Sequence, residues 1–566
     1  MFMCLYVLKR TKEGNAFKAC RLAHQTSTTM MPGDPYQTQL TQLGRPFLAE
    51  SNKEPKLLNQ IRNLGYTLAT RVKNMPVDYP SGQALHPVIP VVDLAMEILR
   101  KYPEKLLFGY GHDTLDLACA KFERFWAMFQ KLQPDHPVYR DRGSCLRRCI
   151  PVFCHADEGT SFRRTGILQV MWGPVLKSHF NSDHHAFLFT SLHTDVYKSA
   201  NRVYELGNAC LDSLMKAFAE EANAGYTNGV TLPLEQEPMY LVFVAQEGDL
   251  PAVAKLYHCY RSYAHAPNEC CFWCEANDRE KPYSDFRQTA AWRSTVNISL
   301  PWRNSAPTHA IVGANRTQFL AKDIFHVFHL GIARTCVASV LCYLALVGHF
   351  NAPGAGYISV PNRLLYAHSL FKEFCSSARE TADIKTFSRD NLGWKSLNFM
   401  PESSMKGSDT RLVMKFLISR LDAPWNLDDV SELALDALQG LDSFMRVCYA
   451  SDRTFLRSCE AQEAHKHLKM FLISYEKAAR LCFNRGQLFF NLTPKYHIAM
   501  HVRDDLDSWK AAGFSMNPAC FATQSAEDFI GKVSKLGTHG HPRLVALRTC
   551  ERWLVRAWSK WCFVDP

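Results

Sequence analysis

No long hydrophobic run is present. The longest apolar stretch, Cys336 to Gly348, falls short of the roughly 20 residues needed to span a bilayer and is flanked by Arg334 and His349. It is expected to be a buried core helix, not a membrane span. The opening Met-Phe-Met-Cys-Leu-Tyr-Val-Leu-Lys-Arg places its basic residues after a short apolar run, the reverse of a secretion signal. Internal repeats, low-complexity tracts and dense basic blocks are also missing, which argues against a solenoid, a fibrous chain or a tail-driven binder. Charge of neither sign is scarce: Lys+Arg 65 against Asp+Glu 54 gives +11. That balance suits a polyanionic partner but is too dilute to prove one.

What is present points to a folded chain. Hydrophobic residues at 47% and charged residues at 21% match globular composition. A length of 566 residues exceeds one domain several times over and predicts about three units or one heavily inserted domain. The 20 cysteines, with no secretory leader, read as buried thiols and metal ligands of an intracellular protein.

The pattern predicts an N-terminal, mainly helical region over 1–145, with a Pro-rich joint from Pro76 to Pro90 and helices ending at Pro134. From Cys149 the texture becomes β-rich. Ile150 to His155, Gly166 to Trp172 and His185 to Leu192 read as three strands. A helix follows, with Asn208 as N-cap and Leu211, Leu214, Met215 and Phe218 on one face. Met239 to Ala245 reads as a fourth strand leading into another helix. The order β-β-β-α-β-α is the start of a ribonuclease-H-like α/β fold with a mixed sheet. Its first part is placed at 146–300 and a large α-helical insertion at 301–484. Core completion follows at 485–566, with a strand-like Gly486 to Leu492 and two final helices.

Asp157, in His155-Ala-Asp-Glu-Gly, ends the first of these strands, and Asp249, in Gly248-Asp-Leu-Pro-Ala, ends the fourth. In such a sheet these strands are neighbours, so the carboxylates would meet at one edge, as the hard cations Mg²⁺ or Mn²⁺ require. The plainer alternative is a turn aspartate and a helix N-cap. A third carboxylate should come from a helix packed on the sheet, and Glu527 in Gln524-Ser-Ala-Glu-Asp-Phe-Ile-Gly is the candidate, against a solvated helix face.

Cys271-Phe-Trp-Cys274 and His497-Ile-Ala-Met-His501 supply two thiolates and two imidazoles, a tetrahedral Zn²⁺ set in chemical type. The halves are too far apart for a finger, so the site would staple distant segments; the alternative is buried thiols and an exposed i, i+4 histidine pair. Asp323, His326 and His329 lie in an apolar segment that reads first as a core helix. Arg548, Arg552, Arg556 and Lys560 form an i, i+4 stripe on the last helix, suited to phosphates or to an ordinary solvated face.

Taken in order, His-Ala-Asp-Glu-Gly, Gly-Asp-Leu-Pro-Ala leading to Cys-x-x-Cys, Asp-Ile-Phe-His-x₃-Leu-Gly, Pro494-Lys-x-His-x₃-His and Ser-x-Glu-Asp-Phe-Ile-Gly resemble eukaryotic cut-and-paste DDE transposases. The likeness runs from about Cys149 to Trp561 and is nearest to the CACTA-like and Kyakuja–Dileera–Zisupton-like groups. It implies Mg²⁺-dependent cleavage and strand transfer at transposon-end DNA by a nuclear protein that does not enter membranes; a homo-oligomer is a candidate assembly, and the sequence does not fix the oligomeric state. It assigns Asp157, Asp249 and Glu527 to the catalytic acids, with Asp323 as the competing second aspartate. Cys271, Cys274, His497 and His501 take the zinc-type positions. No separate N-terminal zinc finger is seen, so a domesticated, catalytically inactive DNA-binding descendant is the alternative.

Overall fold

The structure is a computed structural model that describes residues 16–30, 37–45, 53–160, 166–177, 181–197, 204–232, 237–261, 263, 268–354, 358–423, 427–537 and 542–562. The opening Met1 to Arg10, read above as no secretion signal, lies outside the described residues. The chain is mixed α/β and divides into two compact units. One comprises Met1–Tyr260, Trp302–Leu320 and Gln524–Pro566; the other, nested within it in sequence, comprises Arg261–Pro301 and Ala321–Thr523.

The first unit is organised on a four-stranded sheet. Hairpin strands β1 (Lys73–Tyr79) and β2 (Gly82–Val88) precede it, and the sheet itself contains β3 (Cys149–Thr160), β4 (Gly166–Pro174), β5 (Phe187–His193) and β6 (Tyr240–Glu247) in the order β5-β4-β3-β6. β3 pairs antiparallel with β4, β4 antiparallel with β5, and β3 parallel with β6. An isolated parallel bridge, Gln246 to Leu320, extends the pairing beyond β6. The helix Ala209–Thr227 packs on this sheet, and Asn208 caps it by accepting the Cys210 and Leu211 amides at 3.1 and 3.2 Å. The Pro-rich joint, expected to be a simple connection, folds instead as the β1–β2 hairpin. Its end lies along β5, where the Ile89 amide donates to the Phe189 carbonyl at 2.7 Å. Prolines obscured the strand alternation in the sequence, and an edge hairpin tolerates them. N-terminal helices gather Ala23, Leu40, Leu43, Leu57 and Ile61 into a small apolar cluster.

The second unit is dominated by helices, with β7 (Phe455–Arg457) and β8 (Phe514–Met516) as a short antiparallel pair. Its central apolar rod, Phe325–Leu346, begins as a π-helix and continues as an α-helix. By length and composition it is long and apolar enough to cross a membrane, yet 78% of its apolar window is buried inside the protein. It packs against Gly407–Leu421, Asp429–Ala450 and Pro494–Leu506, as a core helix does. The expected strand at Gly486 to Leu492 is not one. Phe489 and Phe490 are buried among helices, and Phe490 takes φ 60°, so burial rather than a pleat explains that apolar run. The helical unit also takes in more than 301–484, because its knuckle at 271–274 and its helix Pro494–Leu506 share one site.

Candidate functional site

The sequence-predicted residues fall into two separate clusters. In the first unit, β3 is buried through Ala156 and emerges from the core at Asp157. The parallel register pairs His155 with Glu247, so Asp157 and Asp249 each lie two residues beyond matched positions on adjacent strands. The carboxyl ends of parallel strands are where open α/β sheets place their sites. Gly248, at φ 153°, turns the chain out of β6. Asp249 then caps the helix Leu250–Leu256, accepting the Ala252 amide at 2.7 Å through one carboxylate oxygen. The N-cap alternative is therefore correct as far as it goes, and it leaves the second oxygen for another role.

Glu527 reaches the same edge on the helix Gln524–Gly537, which lies across β3 and β4. Gln169 of β4 donates to the Ile530 carbonyl at 3.1 Å and to Ser534 Oγ at 2.7 Å. The approach is close enough that a Cβ at Gly159 would collide with Ser534 Oγ and Ile530, which is why glycine occupies that position. Carboxylate oxygens of Asp157 and Glu527 lie within 4.8 Å of each other. Burial first, then the facing Asp249 and Glu527, push the Asp157 carboxyl up to about 8. A carboxylate group held this way favours a proton or a divalent cation.

Asp323 is the alternative second aspartate of the sequence reading. It is buried in the second unit, where it accepts the Thr523 hydroxyl at 2.6 Å, the Thr523 amide at 3.1 Å and the Phe325 amide at 2.8 Å, and pairs with His326 Nδ1 at 2.6 Å. Its oxygens tie two segments together. The arginine stripe is neither a free phosphate surface nor a solvated face. Arg548 pairs with Glu551, Arg552 with Glu54, and Arg556 makes two 3.0 Å bonds to Asp183. Arg552 and Arg556 fasten the last helix to the body of the unit, whereas the Arg548–Glu551 pair lies within the helix itself.

In the second unit Cys271, Cys274, His497 and His501 converge. All four are buried and their ligand atoms lie within 4.8 Å of one another. Cys271 Sγ is 3.3 Å from His501 Nε2, Cys274 Sγ is 3.1 Å from His497 Nε2, and the two Nε2 atoms are 3.0 Å apart. The exposed-pair alternative for the histidines is excluded by this burial. His497 Nδ1 donates to the Tyr283 carbonyl at 2.9 Å, leaving Nε2 as the ligating atom. Burial lowers the His501 pKa, favouring the neutral imidazole that binds metals. Trp292 closes over both rings, with centroids 4.5 and 4.9 Å away. Two thiols and two imidazoles in a closed, dry cage fit a structural tetrahedral metal, Zn²⁺ by donor type.

The sequence reading missed Arg261. Its side chain is fully buried and donates to the Cys274 carbonyl at 3.1 Å, the Cys271 carbonyl at 3.5 Å, Ser299 Oγ at 2.5 Å and Glu269 at 2.8 Å. It also missed Glu158, Tyr197 and Lys255, which share a pocket with the two aspartates. A lone arginine ten residues before the knuckle and a lysine one and a half turns after a cap carry no spacing signal. No protein-family model and no curated protein matches this chain, so the two side-chain clusters are what its function must be read from.

Proposed function

We propose that the chain is a DDE-type DNA transposase, or a direct descendant of one, built on a ribonuclease-H-like core with a zinc-stapled helical insertion. The observation that carries this reading is the convergence of Asp157, Asp249 and Glu527 at one sheet edge. The strand order β5-β4-β3-β6, with the bridge at Leu320 in the next position, supports the core assignment.

Asp157 and Asp249 would hold Mg²⁺ or Mn²⁺ in common, with Glu527 supplying a further carboxylate. Divalent ions bound there supply Lewis acidity to the attacking and leaving oxygens of a phosphodiester exchange. The protein's own part is to keep three hard ligands fixed on a strand, a capped turn and a helix, so that little reorganisation is needed when the phosphate arrives. Hydrolysis breaks a P–O bond at a transposon end and frees a 3′-hydroxyl, which then attacks a target phosphodiester. Cys271, Cys274, His497 and His501 would hold Zn²⁺ in a structural role. The partners are transposon-end and target DNA and further copies of the chain, and the compartment is the nucleus.

The test is nicking of supercoiled plasmid by purified protein in Mg²⁺ or Mn²⁺. Wild type should nick, and Asp157→Ala should lower the rate by about 10²–10³-fold, the range seen when a major electrostatic group is removed. Equal nicking by both removes the assignment. Wild type that binds DNA in a salt-dependent way without nicking favours the inactive, DNA-binding descendant.

A further inference from the structure

The two faces of the sheet edge differ. Asp157 and Gln169 are paired across β3 and β4, and Gln169 faces the Glu527 helix. The next pair, Glu158 and Leu168, faces the other way, into a cavity of about 280 Å³ that also reaches Asp157 and Asp249. Leu211, Pro251 and Leu256 give this cavity an apolar wall, and Tyr197 closes one side.

At its lip sits a cation. Lys255 Nζ is 2.7 Å from Glu158 Oε1 and 6.0 Å from the centre of the Tyr197 ring. The Tyr197 hydroxyl donates to the same Glu158 oxygen at 2.8 Å. The Lys255 amine is therefore bonded to Glu158, next door to the acidic pair. Both partners retain part of their exposure, 29% and 25%, so Lys255 can exchange Glu158 for an incoming anion at small cost.

A cavity of this size sits at the small end of ligand pockets and is far too narrow for a duplex. Apolar wall, aromatic edge and single cation are what one splayed nucleotide requires: a surface for its base and a charge for its phosphate. We infer that this pocket seats one unpaired nucleotide of the DNA beside the scissile phosphate, with Lys255 pairing to its phosphate and Glu158 holding the lysine in place beforehand. The inference rests on the reading of the acidic cluster as the cleavage site.

The experiment uses the full chain in Ca²⁺ and two fluorescent oligonucleotide duplexes, one blunt and one with a three-nucleotide overhang carrying 2-aminopurine. Wild type should bind the overhang about tenfold more tightly than the blunt end, as stacking and one phosphate contact allow, and 2-aminopurine emission should change on binding. Lys255→Met should abolish the preference and Lys255→Arg should restore most of it. Equal affinity of wild type for both duplexes, or an equal loss on both in Lys255→Met, overturns the pocket. Plasmid nicking in Mn²⁺ is scored separately, so a chain that nicks without the preference refutes the pocket alone, and one that shows the preference without nicking refutes the nuclease alone.

Discussion

Hydrogen bonding fixes the form of His86. The Thr190 hydroxyl donates to the Pro87 carbonyl at 2.7 Å, so His86 Nε2 donates to Thr190 at 2.8 Å and Nδ1 accepts from the Tyr79 hydroxyl, 2.6 Å away. The ring is neutral, and burial lowers its pKa to about 4; burial likewise lowers His309 to about 4 and His136 to about 3. Unfolded histidine takes up its proton near 6.5, so the folded state binds fewer protons between that value and the lowered ones. These histidines therefore contribute stability above pH 6.5 that is lost as the pH falls toward 4. At about 1.4 kcal/mol per unit, His86 and His309 are each worth roughly 3 kcal/mol and His136 roughly 5 kcal/mol. Denaturant melts should show stability falling across this window, and His86→Gln should flatten the slope. A pH-independent midpoint would contradict the network. The second prediction concerns Arg261. Arg261→Met should weaken Co²⁺ or Zn²⁺ binding by about 10–100-fold, as loss of an outer-shell partner does, with Arg261→Lys intermediate. Unchanged affinity in a chelator competition, with an unchanged Co²⁺ spectrum, would show that the knuckle holds its shape without this guanidinium.

Packing of single elements makes the acidic site possible. The Glu527 helix sits where it does because Gly159 lets it approach β3. Gly159→Val should displace that helix and reduce Mn²⁺-dependent nicking by at least tenfold, while the Co²⁺ spectrum of the Cys/His cage is retained; full nicking would show that the close approach is dispensable. The presence of the strands and the Asn208 cap was legible because burial on both faces leaves continuous apolar runs and because an N-cap uses few residue types. Asp249 was readable as the acid that follows its strand, whereas Asp157, expected at a strand end, sits within β3, which runs on to Thr160 and pairs Asp157 with Gln169. Glu527 was named because the expected fold calls for a carboxylate on a helix packed against the sheet, while its local pattern alone favours a solvated face. The β1–β2 hairpin was hidden by its prolines, and Leu488 to Phe490 mimicked a strand because a buried connection and a buried strand demand the same apolar side chains. The fate of Arg552 and Arg556 depends on Glu54 and Asp183, remote in the chain, so no helical wheel could distinguish an anchor from a phosphate contact.

For the molecule as a whole, the Cys/His cage closes a very long loop. Cys274 and His497 are 223 positions apart, and closure by a metal substitutes one set of strong bonds for much chain entropy. Incubation with a strong chelator should lower the unfolding temperature of the helical unit by about 10 °C or more, taking a loss near 5 kcal/mol and about 2–4 °C per kcal/mol at this size. Hydrogen exchange should accelerate first at Arg261–Pro301 and Pro494–Leu506, and unchanged exchange there would show that the cage is not a staple. The same separation sets an order of events during synthesis. At about 5–20 residues per second, the ribosome delivers His497 some tens of seconds after Cys274. The nascent thiols wait that long for their imidazoles, and Glu527 emerges later still. A chain that stalls in between carries a nearly complete sheet but neither its clasp nor its third acid, so the helical unit matures only after His497 has emerged and the acidic centre only after Glu527.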